Sequence, residues 1–461
     1  MLGVYFFTLK VAAVSVAVAA AVGVPMAFFT SRRNFPLRRI ILSLSAVPLC
    51  MPTLVVALGY VSFFGVNGTF NKIFHTHFTF LYSFWGIVLA QGFYNFPFVT
   101  GVLCDAWAQL PQEQKFAARM LGAGEWRVFL TVTLRQLSGA LAAACMPVFL
   151  FCFFSFMIVM LLSPPGVSTL EVEIYHSLST TLNIASGAKL AVLETATTMA
   201  IMFLYLFITK KSQISSAGID FAARRTKIRG FEPIVLLLLL ALVILFFVAP
   251  FISVFVSGAS KFGEVFSSAR FWKSAVNSLG IGFATGFFCT AIAFAYSLAV
   301  KLSGRQGSAV LQTIPMLPMA VSSVVISWCA AVLFHNATVP LLIALQTLMY
   351  WPLAYRQIQS GINRISQESV SAARLISRGT LDSVLRVYAP SCLPVLFSAF
   401  AFTFATSLGD ATMPLILSIK NFDTLALYTY KLAGSYRFAQ ASACGGLIAL
   451  ISVIVVGVVK K

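Results

Sequence analysis

Long apolar runs follow one another along the whole chain, separated by short polar segments. Each run is continuous and near the roughly 20 residues that a helix needs to cross a hydrocarbon core of about 30 Å. A strand of a membrane barrel would instead alternate apolar and polar positions. The pattern predicts eleven helical spans, near residues 5–30, 40–64, 82–104, 137–162, 187–209, 232–257, 275–302, 308–335, 338–356, 391–417 and 438–459.

Composition excludes a water-soluble globule. Charged residues make up 10% of the chain, against about a quarter in soluble proteins. The net charge of +19 does not indicate nucleic acid, because Lys and Arg accumulate in the cytoplasmic loops of membrane proteins. Alternate connections, taken with the span ends beside them and the C-terminal tail, hold 23 of the 32 basic residues, so we place these connections and the C-terminus inside. The predicted fold class is an all-α integral membrane bundle, and no metal site is expected.

Three separate regions repeat at one offset of 255 residues. Pro97 matches Pro352, Ala117–Ala118–Arg119 matches Ala372–Ala373–Arg374, and TLEVEIY (169–175) matches TLALYTY (424–430). The chain is therefore predicted to be two parallel tandem repeats. The first half covers 1–209 and has five spans. The cytoplasmic linker covers 210–231, and the second half covers 232–461 and has six spans. The first half lacks the first helix of the repeat, which favours a true start upstream of Met1.

The polar segment 105–136 interrupts the apolar runs without having the composition of a loop. Its charged side chains would each cost about 2.5–3.5 kcal/mol at a bilayer centre, so the segment is not a span. Glu113, and Glu368 in the second copy, lie near the positive end of a predicted short helix. Small side chains allow close approach of another helix, so the paired alanines predict a docking surface for a cytoplasmic partner. The alternative is an amphipathic helix that lies on lipid headgroups.

The two copies, FAARMLGAGEWRVFLTVTL (116–134) and VSAARLISRGTLDSVLRVYAP (370–390), resemble the EAA loop of binding-protein-dependent ABC importer permeases. The resemblance covers both halves and implies the MetI-like type I permease fold in the bacterial cytoplasmic (inner) membrane. It also implies that each loop forms a coupling helix on an ATPase subunit. The implied partners are two copies of a cytoplasmic ABC ATPase, an extracytoplasmic substrate-binding protein and the lipid bilayer. The residues carried over are Glu113, Ala117, Ala118, Arg119, Gly122, Gly124, Glu368, Ala372, Ala373, Arg374 and Gly379.

The two loops depart from the family pattern in different ways. The position that is acidic in the family motif is occupied by Phe116 in the first copy and by Ser371 in the second. The glycine of the motif is kept as Gly122 in the first copy and is replaced by Ser377 in the second. We therefore expect the two docking helices to be unequal. The phosphate-binding motif G-x-x-x-x-G-K-[ST] is absent from the sequence. The chain is predicted to be no enzyme and to bind no cofactor, with ATP used by the partner subunit.

Fused permeases of this kind resemble those for thiamine and for iron(III). The segments 51–68, 168–178 and 424–438 favour thiamine or its phosphates, and iron(III) or another small solute is the alternative. A secondary transporter also shows parallel repeats, but it would need no ATPase.

Two carboxylates, Glu194 and Asp410, lie inside predicted spans. Intramembrane ionisable residues mark a pathway or a buried pair, and carboxylates suit a cation such as thiamine. They are candidates for lining the translocation path, and the alternative is a local bond to neighbouring hydroxyl groups or to Lys189 or Lys420.

Overall fold

The computed structural model describes residues 2–44, 51–110, 112–211, 226–228, 230–302, 314–334, 336–365 and 384–459, with the single positions 311, 379 and 382. The elements before residue 230 are α1 (Leu2–Arg32), β1 (Arg33–Asn34), α2 (Arg38–Leu44), α3 (Thr53–Phe64), α4 (Thr69–Phe74), α5 (Phe84–Ala108), α6 (Gln112–Met120), α7 (Glu125–Val128), a π-helical turn (Phe129–Thr133), α8 (Leu134–Phe153), α9 (Met157–Leu162), α10 (Leu170–Ser179), α11 (Ile184–Lys211) and β2 (Thr226–Lys227).

The later elements are α12 (Glu232–Val243), a π-helical turn (Ile244–Val248), α13 (Ala249–Ala259), α14 (Phe262–Phe266), α15 (Ala269–Leu302), a 3-10 helix (Ile314–Ala320), α16 (Ser323–Leu333), α17 (Val339–Asn363), a π-helical turn (Val384–Tyr388), α18 (Ala389–Gly409), α19 (Thr412–Leu417), α20 (Leu425–Gly434) and α21 (Phe438–Val459). Strands β1 and β2 pair in parallel over two residues. The described chain is thus almost entirely helical.

The helices repeat with the offset that the sequence predicts. Helix α17 begins and ends 255 residues after α5, and α20 does so after α10. The π-helical turn at 384–388 follows the one at 129–133 by the same 255 residues. Because π-helical turns are rare, their recurrence at one offset strongly supports two copies of one folding unit. The predicted fold class, a helical bundle of two tandem repeats, is confirmed.

Within the described residues, each of the eleven predicted spans overlaps a helix or consecutive helices. Within the described residues, eight helices are long and apolar enough to cross a membrane, or nine if one bent pair counts as a span. That pair, the 3-10 helix 314–320 and α16, bends by 85°. The other two predictions, 187–209 and 338–356, coincide with α11 and α17. The span predictions are therefore correct in position, but several spans are broken.

The chain divides into two compact units. The first consists of Met1–Leu49, Gly59–Glu173 and Leu190–Ser253, and the second of Cys50–Leu58, Ile174–Lys189 and Val254–Lys461. Two short segments of the first predicted half thus belong to the second unit. The halves 1–209 and 232–461, which are defined by the repeat, stay a prediction.

Glycines permit close helix packing within each unit. A Cβ on Gly92 of α5 would lie 2.6 Å from Cγ1 of Val18 on α1, and one on Gly23 of α1 would lie 2.9 Å from the Val99 side chain. In the second unit, a Cβ on Gly286 of α15 would lie 3.0 Å from the Phe400 ring on α18. Small residues of this kind let membrane helices approach until their backbones nearly touch.

Candidate functional site

The first polar repeat folds into the short helix α6. Glu113 lies in its first turn and is exposed, Ala117 is exposed, and Ala118 is half-buried. Arg119 forms an ion pair with Glu125 at the start of α7, so the two short helices are held together. The predicted docking residues therefore lie on an accessible helix between two spans.

Glycine is required at one position of this loop. Gly122 has φ +82°, in the left-handed region that favours glycine, and it ends α6. Gly124 has φ −67°, which any residue adopts, and it precedes α7. The first glycine therefore sets the turn, and the second does not need to be glycine for backbone reasons.

Apolar side chains stand exposed beside the alanines. Phe116 is 60% exposed, and Met120 and Leu121 are each 88% exposed. These residues lie in a connection that the charge distribution predicts to be cytoplasmic. An apolar patch rimmed by charged residues is typical of a surface that contacts another protein or a membrane.

Stacked aromatic rings connect this loop to the spans. Trp126 stacks on Phe129 with ring centroids 5.7 Å apart, and Phe129 stacks on Trp107 of α5 at 6.2 Å. The carbonyl oxygen of Trp107 accepts a hydrogen bond of 2.8 Å from Nη2 of Arg32, at the end of α1. A displacement of the loop would therefore move the ends of two long helices.

The loop is also electropositive. Partial burial, together with the nearby charges of Arg32 and Arg119, lowers the pKa of Lys115 to about 8. Near neutral pH Lys115 is still mostly protonated, although its burial and the neighbouring positive charges disfavour the charged form. An acidic group from a partner would relieve that repulsion.

The second loop is mostly outside the described residues. Glu368, Ala372, Ala373 and Arg374 all lie in the stretch 366–378, of which the structure describes nothing. Gly379 is described and is exposed. The predicted inequality of the two docking helices stays a prediction.

Asp410 lies in a buried polar cluster of the second unit, in the break between α18 and α19. Its Oδ1 accepts hydrogen bonds from the backbone N–H groups of Thr412 (2.9 Å) and Met413 (3.3 Å), and so caps α19. Its Oδ2 accepts a bond of 3.1 Å from Nε2 of Gln346, which is fully buried on α17. The carboxylate is thus held at a helix break by protein groups that are all uncharged.

Two hydroxyl groups fix the orientation of Gln346. Ser407 donates a hydrogen bond of 2.6 Å to its Oε1, and Thr285 of α15 donates one of 3.2 Å. Because the amide oxygen is occupied by these donors, the NH₂ group faces Asp410. The cluster therefore joins three helices around one carboxylate.

The first unit contains the corresponding cluster. Gln91, which matches Gln346 at the 255 offset, accepts a hydrogen bond of 2.9 Å at Oε1 from Ser15 of α1. Tyr350, whose hydroxyl also hydrogen-bonds Asp410 in the second unit, is replaced by Asn95 in the first. Cys152 stands in place of Ser407, and Ser155 in place of Asp410. The Nδ2 atom of Asn95 lies 3.6 Å from Sγ of Cys152. The framework is kept in both units, but the first cluster has no carboxylate at the matching position.

The other predicted carboxylate, Glu194, lies on α11 in the first unit and is 1% exposed. Glu171, on α10 of the same unit, is fully buried and was not singled out by the sequence patterns. The residue that matches Glu171 in the second copy is Ala426. This difference between a charged and an apolar residue is the sequence signal that could have identified Glu171. Gln91 and Gln346 were also missed, although both lie inside predicted spans at the repeat offset.

Basic residues outnumber acidic ones at one end of the second unit. This end is formed by the helix ends that lie away from the 365–384 connection. Asp423 lies at this end and receives a hydrogen bond of 2.7 Å from Nη2 of Arg270 and one from Lys431. Although partial burial acts to raise the pKa of Asp423, these two bases hold it below its usual value. The segments 260–273 and 418–437 contain six bases and two acids: Lys261, Arg270, Lys273, Lys420, Lys431, Arg437, Glu264 and Asp423.

The sequence model of the binding-protein-dependent transport system inner membrane component matches residues 19–248 and 282–460. The chain belongs to this family. The permease is 26% identical over 446 residues to the thiamine transport system permease protein of Escherichia coli (strain K12), covering 93% of this chain and 83% of the relative. It is 27% identical to the protein of that name from Salmonella typhimurium (strain LT2), covering 91% and 81%.

A sulfate transport system permease protein of Escherichia coli (strain K12) is 32% identical over 142 residues, which is 31% of this chain and 49% of the relative. The family match in two segments agrees with the helix repeat. The permease is therefore an inner membrane component of an ABC importer, as the two loop motifs predicted.

Proposed function

We propose that this permease carries thiamine or its phosphates across the inner membrane, with energy supplied by a separate ATPase. The observation that carries the substrate is the similarity to thiamine permeases over more than nine-tenths of the chain. Thiamine contains a cationic thiazolium ring, and Asp410 is a carboxylate held at a break in a spanning helix. Both observations favour a cationic solute over an anion.

We propose that α6 and the matching segment 367–377 are the two coupling helices, each seated on one of two ATPase copies. Support comes from the accessible residues Ala117 and Ala118 and from the exposed apolar patch around Met120. ATP-driven closure of the ATPase pair would displace these helices. The stacked rings of Trp126, Phe129 and Trp107 would pass the movement to α5 and α8. This arrangement requires a cytoplasmic C-terminus.

We further propose that Asp410 and Glu194 line the translocation path. Asp410 is oriented by Gln346 and by two backbone N–H groups, so that its charge stays fixed while the surrounding helices move. A fixed carboxylate in a low-dielectric surrounding attracts a cation more strongly than a solvated one does. Glu194 would supply a second negative charge from the first half of the chain.

The extracytoplasmic binding protein is the third partner in this proposal. The six bases and two acids of segments 260–273 and 418–437 form a surface of four net positive charges, which we call the basic end. The positive-inside rule disfavours such an excess outside the membrane. A binding protein with an acidic surface would explain it, because opposite charges accelerate encounter.

The alternative substrate is iron(III) or another small solute. The sulfate permease similarity covers less than a third of the chain, and a buried carboxylate opposes passage of sulfate. We therefore retain thiamine as the proposed substrate.

The proposal is tested by uptake of labelled thiamine in cells that lack this chain and are complemented with variants. Deletion should abolish high-affinity uptake, and the wild-type chain should restore it. Ala118→Glu and Ala373→Glu should each reduce both uptake and co-purification of the ATPase, with the larger loss at Ala118, while Lys72→Glu in the opposite loop should not. Unchanged thiamine uptake on deletion would remove the substrate, and persistence of the ATPase complex in both alanine variants would remove the docking surface.

A further inference from the structure

The polar cluster of the first unit contains buried atoms whose hydrogen-bonding capacity is unused. Gln91 is 1% exposed, Asn95 2% and Ser155 5%. Among the residues that the structure describes, Nε2 of Gln91, Oδ1 of Asn95 and Oγ of Ser155 have no hydrogen-bond partner. Gln91 and Asn95 are four residues apart on α5, so two of these unbonded atoms belong to neighbouring side chains of one helix.

The second unit shows how the same framework looks when it is satisfied. There the corresponding glutamine, Gln346, donates through Nε2 to Asp410 and accepts at Oε1 from Ser407 and Thr285. In the first unit the hydroxyl donor is kept as Ser15, but Asp410 is replaced by Ser155. Gln91 therefore keeps its orienting bond and lacks the acceptor for its NH₂ group.

Leaving these groups unbonded is costly. A buried unsatisfied donor or acceptor destabilises a protein by about 1–3 kcal/mol, whereas an apolar residue of similar shape at the same place avoids that cost. A Leu or Phe residue, as found elsewhere in the span, would avoid this cost at these positions. Polar groups kept at this depth in membrane helices are accordingly candidates for a functional contact.

The orientation of both amides is set by their other bonds. Nδ2 of Asn95 donates a hydrogen bond of 2.9 Å to the backbone carbonyl oxygen of Gln91, which accepts only, so Oδ1 of Asn95 is the open acceptor. Oε1 of Gln91 accepts from Ser15 at 2.9 Å, so Nε2 is the open donor. Residues four apart lie on one face of a helix. The pair thus presents a donor beside an acceptor on one face of α5.

We propose that Gln91 and Asn95 form a binding site for an uncharged planar edge that carries an acceptor next to a donor, as a 4-aminopyrimidine ring does. The ring nitrogen would accept from Nε2 of Gln91, and the exocyclic amino group would donate to Oδ1 of Asn95. This site rests on the proposed function, because thiamine carries an aminopyrimidine beside its thiazolium ring. The site would recognise an uncharged part of the substrate.

The test compares thiamine with oxythiamine, in which a carbonyl oxygen replaces the 4-amino group. Labelled thiamine uptake is measured in the complete importer, with each unlabelled compound as competitor. The binding protein is the same throughout, so its own preference cancels between wild type and variants. The matched control is Thr100→Val, since Thr100 is also buried on α5 but its hydroxyl bonds the Phe96 carbonyl at 3.0 Å.

We expect Asn95→Leu to reduce the preference for thiamine over oxythiamine by about tenfold, because one hydrogen bond contributes a net free energy of about 1 kcal/mol. Gln91→Leu should raise the half-saturating thiamine concentration several-fold. Thr100→Val should stay within twofold of wild type on both measures. If both leucine variants transport and discriminate as wild type does, the atoms bind ordered water only and the site is wrong. If the wild-type importer does not take up thiamine at all, the proposed function fails instead. The two single variants give independent results should one of them fail to reach the membrane.

Discussion

The buried clusters around Gln346 and Gln91 share one framework and differ in chemistry. In both units a hydroxyl on the preceding long helix, Thr285 or Ser15, donates to the glutamine amide oxygen. In the second unit the amide then donates to Asp410, whereas the first unit has Ser155 at the matching position. The repeat thus kept the groups that orient the amide and changed the group that receives its bond. The cluster of the second unit therefore contains a carboxylate at this position, and the cluster of the first unit contains a hydroxyl group.

The two units also share a backbone hydrogen bond between matching helices, while the charges nearby differ. The backbone N–H of Leu170 donates to Thr8 in the first unit (3.0 Å), and the N–H of Leu425 donates to Ser278 in the second (2.6 Å). These matching bonds tie α10 to α1 and α20 to α15. The charges around them are not matched, because the basic end belongs to the second unit. Backbone geometry is therefore repeated more faithfully than surface charge.

The largest expected effect is at Asp410. Asp410→Asn should lower thiamine uptake at least about tenfold, because the neutral amide removes the charge that attracts a cation. Asparagine also caps helices well, so α19 should keep its first turn. Labelled uptake, corrected for the amount of permease in the membrane, measures the loss.

Thr403→Val is the matched control for that substitution. Thr403 is buried on the same helix, α18, and its hydroxyl bonds the Ala399 carbonyl oxygen at 2.8 Å. It should retain uptake within twofold of wild type. If Asp410→Asn retains more than half of the wild-type uptake, the carboxylate serves only as a helix cap and its charge does not attract the substrate.

A smaller effect is expected at the basic end. Lys273, Lys420 and Arg437 form no ion pair within the described residues, so their reversal breaks no internal bond seen there. The triple variant with glutamate at these positions should slow association of the binding protein roughly three- to tenfold at low salt. The difference should shrink above about 0.15 M salt, where charges are screened over about 8 Å.

The control charge reversal in the first unit is Lys72→Glu, and it should change the association rate less than twofold. Surface plasmon resonance on the permease in nanodiscs of zwitterionic lipid gives both rates. Equal effects of the two variants would show that the basic end has no special role in docking. An effect that appears only with anionic lipid would assign the bases to lipid headgroups instead.

Continuous apolar runs were sufficient to locate the spans, since each of the eleven predictions coincides with helix. They did not predict the breaks at residues 154–156 and 410–411, because a break of two or three residues leaves the mean hydropathy of the run unchanged. Ser155 and Asp410 both lie in these breaks.

Charged candidates were easier to predict than neutral ones. Glu194 and Asp410 stand out in apolar runs, but Gln91, Asn95 and Gln346 are recognised only when their hydrogen bonds are known. The loop motif identified α6 as a helix with accessible alanines. Its aromatic connection through Trp126 and Phe129 depends on which rings face each other, and no sequence pattern specifies that.

The central claim, that this chain is the membrane part of an ATP-driven thiamine importer, is tested most directly by reconstitution. The permease is inserted into proteoliposomes with its ATPase and binding protein, and labelled thiamine uptake is followed with ATP supplied to the ATPase side. We expect uptake that requires ATP hydrolysis and the binding protein together and that falls sharply in Ala118→Glu. Thiamine uptake driven by an ion gradient, without the ATPase, would contradict this expectation and identify a secondary transporter.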